Sequence, residues 1–198
     1  MAGLESIHQG VGLLALECIL RLERGETRRA LESTLAGFRI ARSLQGEPSL
    51  ICHLVRAACD RKTLLVLERL LNLASLTDTQ LATVDEALRL AECPDGLLLS
   101  MVSERAIAVD FFNRTAISSD YAASGLLDLD MLSCLEYYER VIDVASLPTH
   151  QQAAKFAAAE SWLTALPAWR TRVTSVVTMN AGRAATIFAE HLACVRAT

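Results

Sequence analysis

The chain has 198 residues, of which 52% are hydrophobic and 21% are charged. This apolar content argues against an intrinsically disordered protein, because the chain can bury enough apolar surface to offset the entropy lost on ordering. The net charge of −4 and the aromatic content of 5% argue against a nucleic-acid-binding protein, which needs basic patches and aromatic stacking platforms. We expect a soluble helical protein without a nucleic-acid partner.

The sequence contains no segment typical of membrane insertion or secretion. Its longest unbroken apolar runs, such as residues 13–16, are far shorter than the roughly 20 residues that cross a bilayer. The N-terminus has no basic region followed by an apolar core. No pair of cysteines forms a CxxC motif, and most lie in apolar helical patterns, which favours reduced structural thiols and a cytoplasmic location. The six are Cys18, Cys52, Cys59, Cys93, Cys134 and Cys194.

The prolines and several glycines divide the chain into helical segments. All four prolines lie at breaks in the apolar periodicity, and no segment alternates with period two for long enough to predict a strand. We therefore predict an all-α fold of about eight helices in a single domain, residues 1–198, with possible sub-layers at 1–92 and 93–198. The predicted helices span about 4–24, 26–45, 48–73, 78–92, 95–117, 128–147, 149–166 and 171–196.

The turn around Gly25 is the sharpest local signal. A glycine between two helices, followed by Ala30, resembles the turn and second helix of a tetratricopeptide repeat. Cys18 and Gly37 fall at the positions where that repeat uses small residues for close helix contact. The large aromatic positions of the repeat are not matched, and no second copy follows 34 residues later. The short turns predict antiparallel hairpins, arranged either as a tetratricopeptide-like α-α superhelix or as an irregular bundle.

Four elements also occur in an order that resembles a large uncharacterised bacterial family of all-helical proteins. They are residues 30–71, residues 76–92, the "ERAIAVDFF" segment and a closing helix rich in alanine and arginine. The similarity covers residues ~10–196, judged against ordinary helix periodicity. It implies an all-helical fold and no particular activity. Members of the family commonly carry an N-terminal membrane anchor and an acidic C-terminal segment, which are not found in these 198 residues.

The third predicted helix carries a polar stripe that changes sides. Ser49, His53, Arg56 and Asp60 share one face, whereas the later polar residues, Arg61, Glu68, Arg69 and Asn72, point roughly the other way. One interpretation is that the first group faces solvent and that the helix bends near residues 60–62. The other is that the first group lies between helical layers and forms a polar pocket.

Arg105 interrupts a predicted apolar stripe on the fifth helix, formed by Leu98, Met101, Val102, Val109 and Phe112. A buried guanidinium without a partner is very costly. We expect a carboxylate from a neighbouring helix to pair with it, the side chain to extend to solvent, or an anionic ligand to bind it. The candidate ligand-binding residues are therefore His53, Arg56, Asp60 and Arg105.

The sequence contains no recognisable catalytic or cofactor motif. Its four histidines form no HxxxH or HExxH pair, Glu136 and Glu139 lack the histidine that a di-iron site needs, and "RGETRRA" lacks the lysine and spacing of a phosphate-binding loop. We predict no catalytic residue, no metal and no cofactor.

Two classes of function remain. The leading hypothesis is a non-enzymatic helical module that binds an unknown protein or peptide. The alternative is a helical bundle that binds a small anionic ligand, or acts as a weak enzyme, through its internal polar residues. A homo-oligomer formed through the alanine-rich segment at 179–195 is a further hypothesis.

Overall fold

The computed structural model describes residues 2–114, 124–171, 173, 174 and 178. These residues form seven α-helices and one short 3-10 helix, and none of them belongs to a β-strand, so the all-α prediction is confirmed for this part of the chain. In chain order the helices are α1 (Ala2–Glu23), α2 (Thr27–Arg42), α3 (Leu50–Leu73), α4 (Asp78–Ala91), α5 (Gly96–Arg114), α6 (Leu126–Ala145), α7 (Thr149–Thr164) and the 3-10 helix (Ala168–Arg170).

The predicted number of about eight helices is not confirmed. Seven α-helices are present in the described ranges, and the eighth predicted helix, 171–196, lies outside them apart from residues 171, 173, 174 and 178. The chain divides into two compact units, 1–96 and 97–198, close to the predicted boundary between sub-layers. That the two units form a single domain stays a prediction.

The boundaries between helices follow from residues with special backbone or capping properties. Gly25 and Gly125 have φ angles of +74° and +73°, which glycine adopts without strain. Thr77 caps α4, because its hydroxyl accepts the backbone N–H of Gln80 and the Gln80 side chain accepts the N–H of Thr77. Gly125 occupies the N-cap of α6, and no side chain makes a capping hydrogen bond there.

In the first unit, α1 lies antiparallel to α2 and parallel to α3. Val11 of α1 packs with Ala41 of α2 and Cys59 of α3. Further along α1, Cys18 packs with Ala30 near the start of α2 and with the second half of α3. The antiparallel arrangement of the first hairpin therefore agrees with the short turn at Gly25. α4 packs against α2.

Small residues allow the first three helices to approach closely. At Gly37, a Cβ atom would lie 2.7 Å from Thr63 Oγ1 and 3.1 Å from Thr63 Cγ2 on α3. Ala30 and Cys18 are fully buried, and the Thr34 hydroxyl donates to Cys18 Sγ at 3.3 Å. The small residues noted around the first turn thus lie at contacts between helices.

In the second unit, a fully buried carboxylate joins α6 to the chain that follows the 3-10 helix. Asp130 Oδ2 accepts the N–H of Val173 at 2.6 Å, and Oδ1 accepts the N–H of Thr174 at 3.0 Å. One turn later, Ser133 Oγ accepts from Arg170 Nε at 3.0 Å. Asp130 therefore serves a distant backbone segment and does not cap its own helix.

The contact at Gly37 predicts an unusual response to alanine. Gly37→Ala should lower the free energy of unfolding by about 1–3 kcal/mol through overpacking, although alanine favours a helix over glycine. Thr63 cannot easily yield, because it is β-branched and its hydroxyl donates to the Cys59 carbonyl. Urea unfolding followed by helical circular dichroism measures the change.

Gly10→Ala is the matched control, because a Cβ at Gly10 in α1 meets nothing within 4 Å. It should raise the free energy of unfolding by up to about 1 kcal/mol. Equal stabilisation by both substitutions would contradict close packing at Gly37.

Removal of the buried carboxylate should destabilise the second unit selectively. Asp130→Ala leaves two buried N–H donors without their acceptor, at a cost of about 2–4 kcal/mol. Both tryptophans of the chain lie in this unit, so urea unfolding followed by tryptophan fluorescence isolates it. Asp128→Ala, at an exposed position of the same helix, should cost less than about 1 kcal/mol; an equal loss from both variants would refute the role of Asp130.

Candidate functional site: a buried polar cluster and an apolar groove

The buried face of α3 does not change sides along the helix. Its buried residues follow one another at steps of one to four positions and form a single stripe. The first half of this stripe is polar and the second half is largely apolar, which explains why the polar residues change sides in the sequence. The stripe consists of Leu50, His53, Arg56, Cys59, Thr63, Val66, Leu67 and Leu70.

The solvent-facing interpretation of the polar stripe is therefore wrong. His53 and Arg56 are each only 8% exposed, whereas Arg61, Glu68 and Arg69 in the second half are exposed. A bend near residues 60–62 is not needed, because the buried residues from His53 to Leu70 lie on one broad side of a regular helix.

Arg56 and Asp60 form an ion pair within this buried stripe. Arg56 Nε lies 3.6 Å from Asp60 Oδ2, one helical turn away, and their side chains are 9% and 17% exposed. This separation exceeds the usual 2.7–2.9 Å of a charge-assisted hydrogen bond. Within the described ranges, Asp60 is the only carboxylate at ion-pair distance from Arg56.

Burial shifts the protonation of both neighbours of Arg56. Burial, followed by the charge of Arg56, lowers the pKa of His53 to about 4. Burial raises the pKa of Asp60 to about 6, although the Arg56 charge opposes that shift. At neutral pH the cluster therefore contains an uncharged imidazole beside a guanidinium–carboxylate pair.

The imidazole of His53 packs closely against Gly96, the last residue of the first unit. A Cβ atom at Gly96 would lie 2.9 Å from His53 Nδ1 and 3.0 Å from Cys93 Sγ. Glycine at this position thus lets the backbone approach the ring. The space beside this edge of the imidazole is therefore taken up by Gly96 and Cys93.

Arg105 belongs to the second unit, so its predicted convergence with His53, Arg56 and Asp60 stays a prediction. The predicted stripe around it needs correction, because Val102 is 39% exposed and Leu97 is buried. Arg105 follows the buried Met101 by one turn and is itself half-buried. It forms no ion pair with any residue in the described part of the chain.

A groove of about 260 Å³ lies between α2 and α4. Its floor is apolar, and its rim carries charged and hydroxyl side chains from both helices. The sequence did not reveal it, because the pattern of either helix alone does not show that α2 and α4 are neighbours. The floor is formed by Leu35, Phe38, Ala87, Leu90 and Ala91, and the rim by Arg39, Arg42, Thr83 and Glu86.

The two walls of the groove differ in charge. α2 carries four arginines and one glutamate, and its Arg39 and Arg42 line the groove as exposed side chains. On α4, Glu86 binds Arg89 through two hydrogen bonds of 2.8 and 2.7 Å. These bonds lower the pKa of Glu86, and the charges of Arg89 and Arg42 lower it further by a smaller amount.

Other classes of site find no support in the described residues. They contain no group of three or more histidine, cysteine or acidic residues placed to hold a metal ion. The five cysteines among them are free thiols, and Cys194 lies outside the described part. None of the described helices is both long and apolar enough to cross a membrane.

The cluster on α3 predicts a specific pH dependence. The unfolded chain protonates His53 near its ordinary pKa of 6.5, whereas the folded chain resists protonation down to about 4. The free energy of unfolding therefore decreases, through His53, as the pH falls below 6.5. Asp60 acts oppositely, because its folded pKa of about 6 exceeds its ordinary 3.8 and the folded state gains stability as the pH falls.

His53→Gln should therefore gain stability relative to the unmodified protein between pH 7 and pH 5, by at most about 1.4 kcal/mol per pH unit. Urea unfolding at successive pH values measures this difference. His150→Gln, at an exposed histidine, controls for the loss of an imidazole. Parallel pH profiles for the unmodified protein and His53→Gln would show that His53 titrates as if in water.

Comparison with known proteins finds no match. No protein-family model matches the chain, and no curated protein or solved structure is detectably similar to it. The resemblances to the bacterial family and to a tetratricopeptide repeat therefore stay predictions.

Proposed function

We propose that this chain is a non-enzymatic helical protein-interaction module, and that the groove between α2 and α4 binds apolar side chains of a partner protein or peptide. The observation that carries the proposal is an apolar floor that is open at the surface between two charged walls. Charged rims around apolar centres are typical of protein-binding surfaces.

The size of the groove favours side chains over a small molecule. Sites for drug-sized ligands and cofactors usually have volumes of about 300–1,000 Å³, and this groove has about 260 Å³. It can hold one or two apolar side chains. An amphipathic helix that inserts its apolar face into a groove needs a site of this kind.

The arrangement of the helices also supports a binding module. Besides the sequential pairs α1–α2 and α2–α3, contacts join the alternate pairs α1–α3 and α2–α4. Alternate contacts of this kind are expected in tetratricopeptide-like superhelices, although α3 and α4 make few contacts with each other here. We propose such stacking for the first unit.

The alternative function, binding of a small anionic ligand by His53, Arg56, Asp60 and Arg105, has weaker support at the first three residues. The guanidinium already has a carboxylate neighbour, and Gly96 packs against the imidazole. None of the three residues lines the groove. The cluster is better explained as a polar part of the helix packing.

Self-association through residues 179–195 stays a prediction, because those residues lie outside the described part of the chain.

The groove can be tested with peptides selected against the full chain from a random display library. Leu90→Glu places a charge in the groove floor and should weaken the selected peptides at least tenfold, which corresponds to about 1.4 kcal/mol. Leu90 is already 37% exposed, so the fold should tolerate the change; circular dichroism checks this. Titration of labelled peptides by fluorescence anisotropy measures the affinity.

Leu81→Glu is the matched control. Leu81 lies on the same helix and is 44% exposed, but it does not line the groove. The affinity of Leu81→Glu for the selected peptides should stay within about twofold of that of the unmodified protein, since Leu81 contributes no contact in the groove. If both variants bind equally well, or if no peptide can be selected, the groove is not a binding site.

A further inference from the structure

We infer that the groove selects segments that carry an acidic side chain beside their apolar anchor, with the acidic side chain held by Arg39 and Arg42 of α2. This inference rests on the proposed function, because it names the class of partner that the groove accepts.

The first observation is the position of the two arginines. Arg39 and Arg42 are three residues apart, so they lie on the same side of α2, and both line the groove. They follow Leu35 and Phe38 of the floor by about one turn. A carboxylate one turn away from an inserted apolar side chain can therefore reach both guanidinium groups.

The second observation is that neither guanidinium lies within ion-pair distance of a described carboxylate, although the charge of Arg42 acts on Glu86 from further away. No ion pair involves Arg39 or Arg42 within the described ranges. Among the described residues, Arg39 Nε donates to the Leu35 carbonyl at 3.3 Å. In contrast, Arg28 and Arg29 on the same helix pair with Glu32 and Glu26.

The opposite wall fixes the orientation of the acidic group. The acidic residues of α4 include Asp85 and Glu86, and Arg89 already binds Glu86. A carboxylate that approached this wall would be repelled by those acidic residues. The acidic side chain of the partner should therefore lie towards α2, which gives the bound segment one preferred orientation.

The expected contribution of the two arginines to peptide affinity is modest, because both side chains are exposed. Exposed ion pairs contribute about 0.2–1 kcal/mol each, so the loss of both should reduce the affinity for an acidic peptide about 2- to 30-fold. Charges of this kind contribute to specificity and association rate more than to affinity. Salt should weaken the preference, because the Debye length is about 8 Å at physiological ionic strength.

The experiment compares peptides selected against the full chain with copies in which each Asp or Glu is replaced by Asn or Gln. The unmodified protein should bind the original acidic peptides more tightly than their neutral copies. This preference should decrease when the salt concentration is raised from 50 to 500 mM. The double variant Arg39→Gln, Arg42→Gln should lose it. Arg28→Gln, a control with a highly exposed arginine on the same helix, should keep it.

The outcomes separate the inference from the proposed function. If peptides bind, Leu90→Glu abolishes binding and neutral copies bind as well as acidic ones, the role of Arg39 and Arg42 is refuted while the groove stands. A preference for acidic peptides that survives in the double variant also refutes the role of Arg39 and Arg42. If no peptide depends on Leu90, the proposed function fails and this inference fails with it.

Discussion

The close approach of α2 to α3 at Gly37 is the contact on which the first unit depends. Any side chain at this position would meet Thr63, whose hydroxyl and methyl groups lie within about 3 Å of the site of a Cβ atom. Helices that approach this closely bury their small residues at the contact, as Ala30 and Cys18 show. The position of α2 in turn determines where α4 packs against it, and the groove exists only because these two helices are neighbours.

The same packing places polar residues in the interior at the first half of α3. Burial of an ion pair removes both charges from water, and the attraction between the charges repays this cost only when the geometry is good. The pair Arg56–Asp60, at 3.6 Å and without a hydrogen bond from Nε, does not have such geometry. The raised pKa of Asp60 has the same origin, because burial outweighs the attraction of Arg56. This part of α3 therefore contributes less stability per residue than the apolar part around Leu67 and Leu70.

Periodicity identified the groups of residues that share a face but not their surroundings. His53, Arg56 and Asp60 were placed together on one face of a helix, and the structure buries that face. A stripe of polar residues ordinarily indicates solvent, since burial of a charge is costly, so the pattern alone did not decide between a solvent-facing stripe and a stripe between helical layers. Leu35 and Phe38 show the same limit, because Phe38 is buried in the core and Leu35 packs against it, and yet both also line the groove.

By itself, the sequence determined the all-helical class and most boundaries between helices. These depend on local physical chemistry: the left-handed backbone at Gly25, the capping box at Thr77 and the breaks at prolines all act within a few residues. Only the tertiary structure decided that α4 packs on α2, that the polar half of α3 is buried and that Asp130 binds the distant Val173 and Thr174. These contacts join residues far apart in the chain, and their energies depend on burial and on neighbours that a local pattern does not specify.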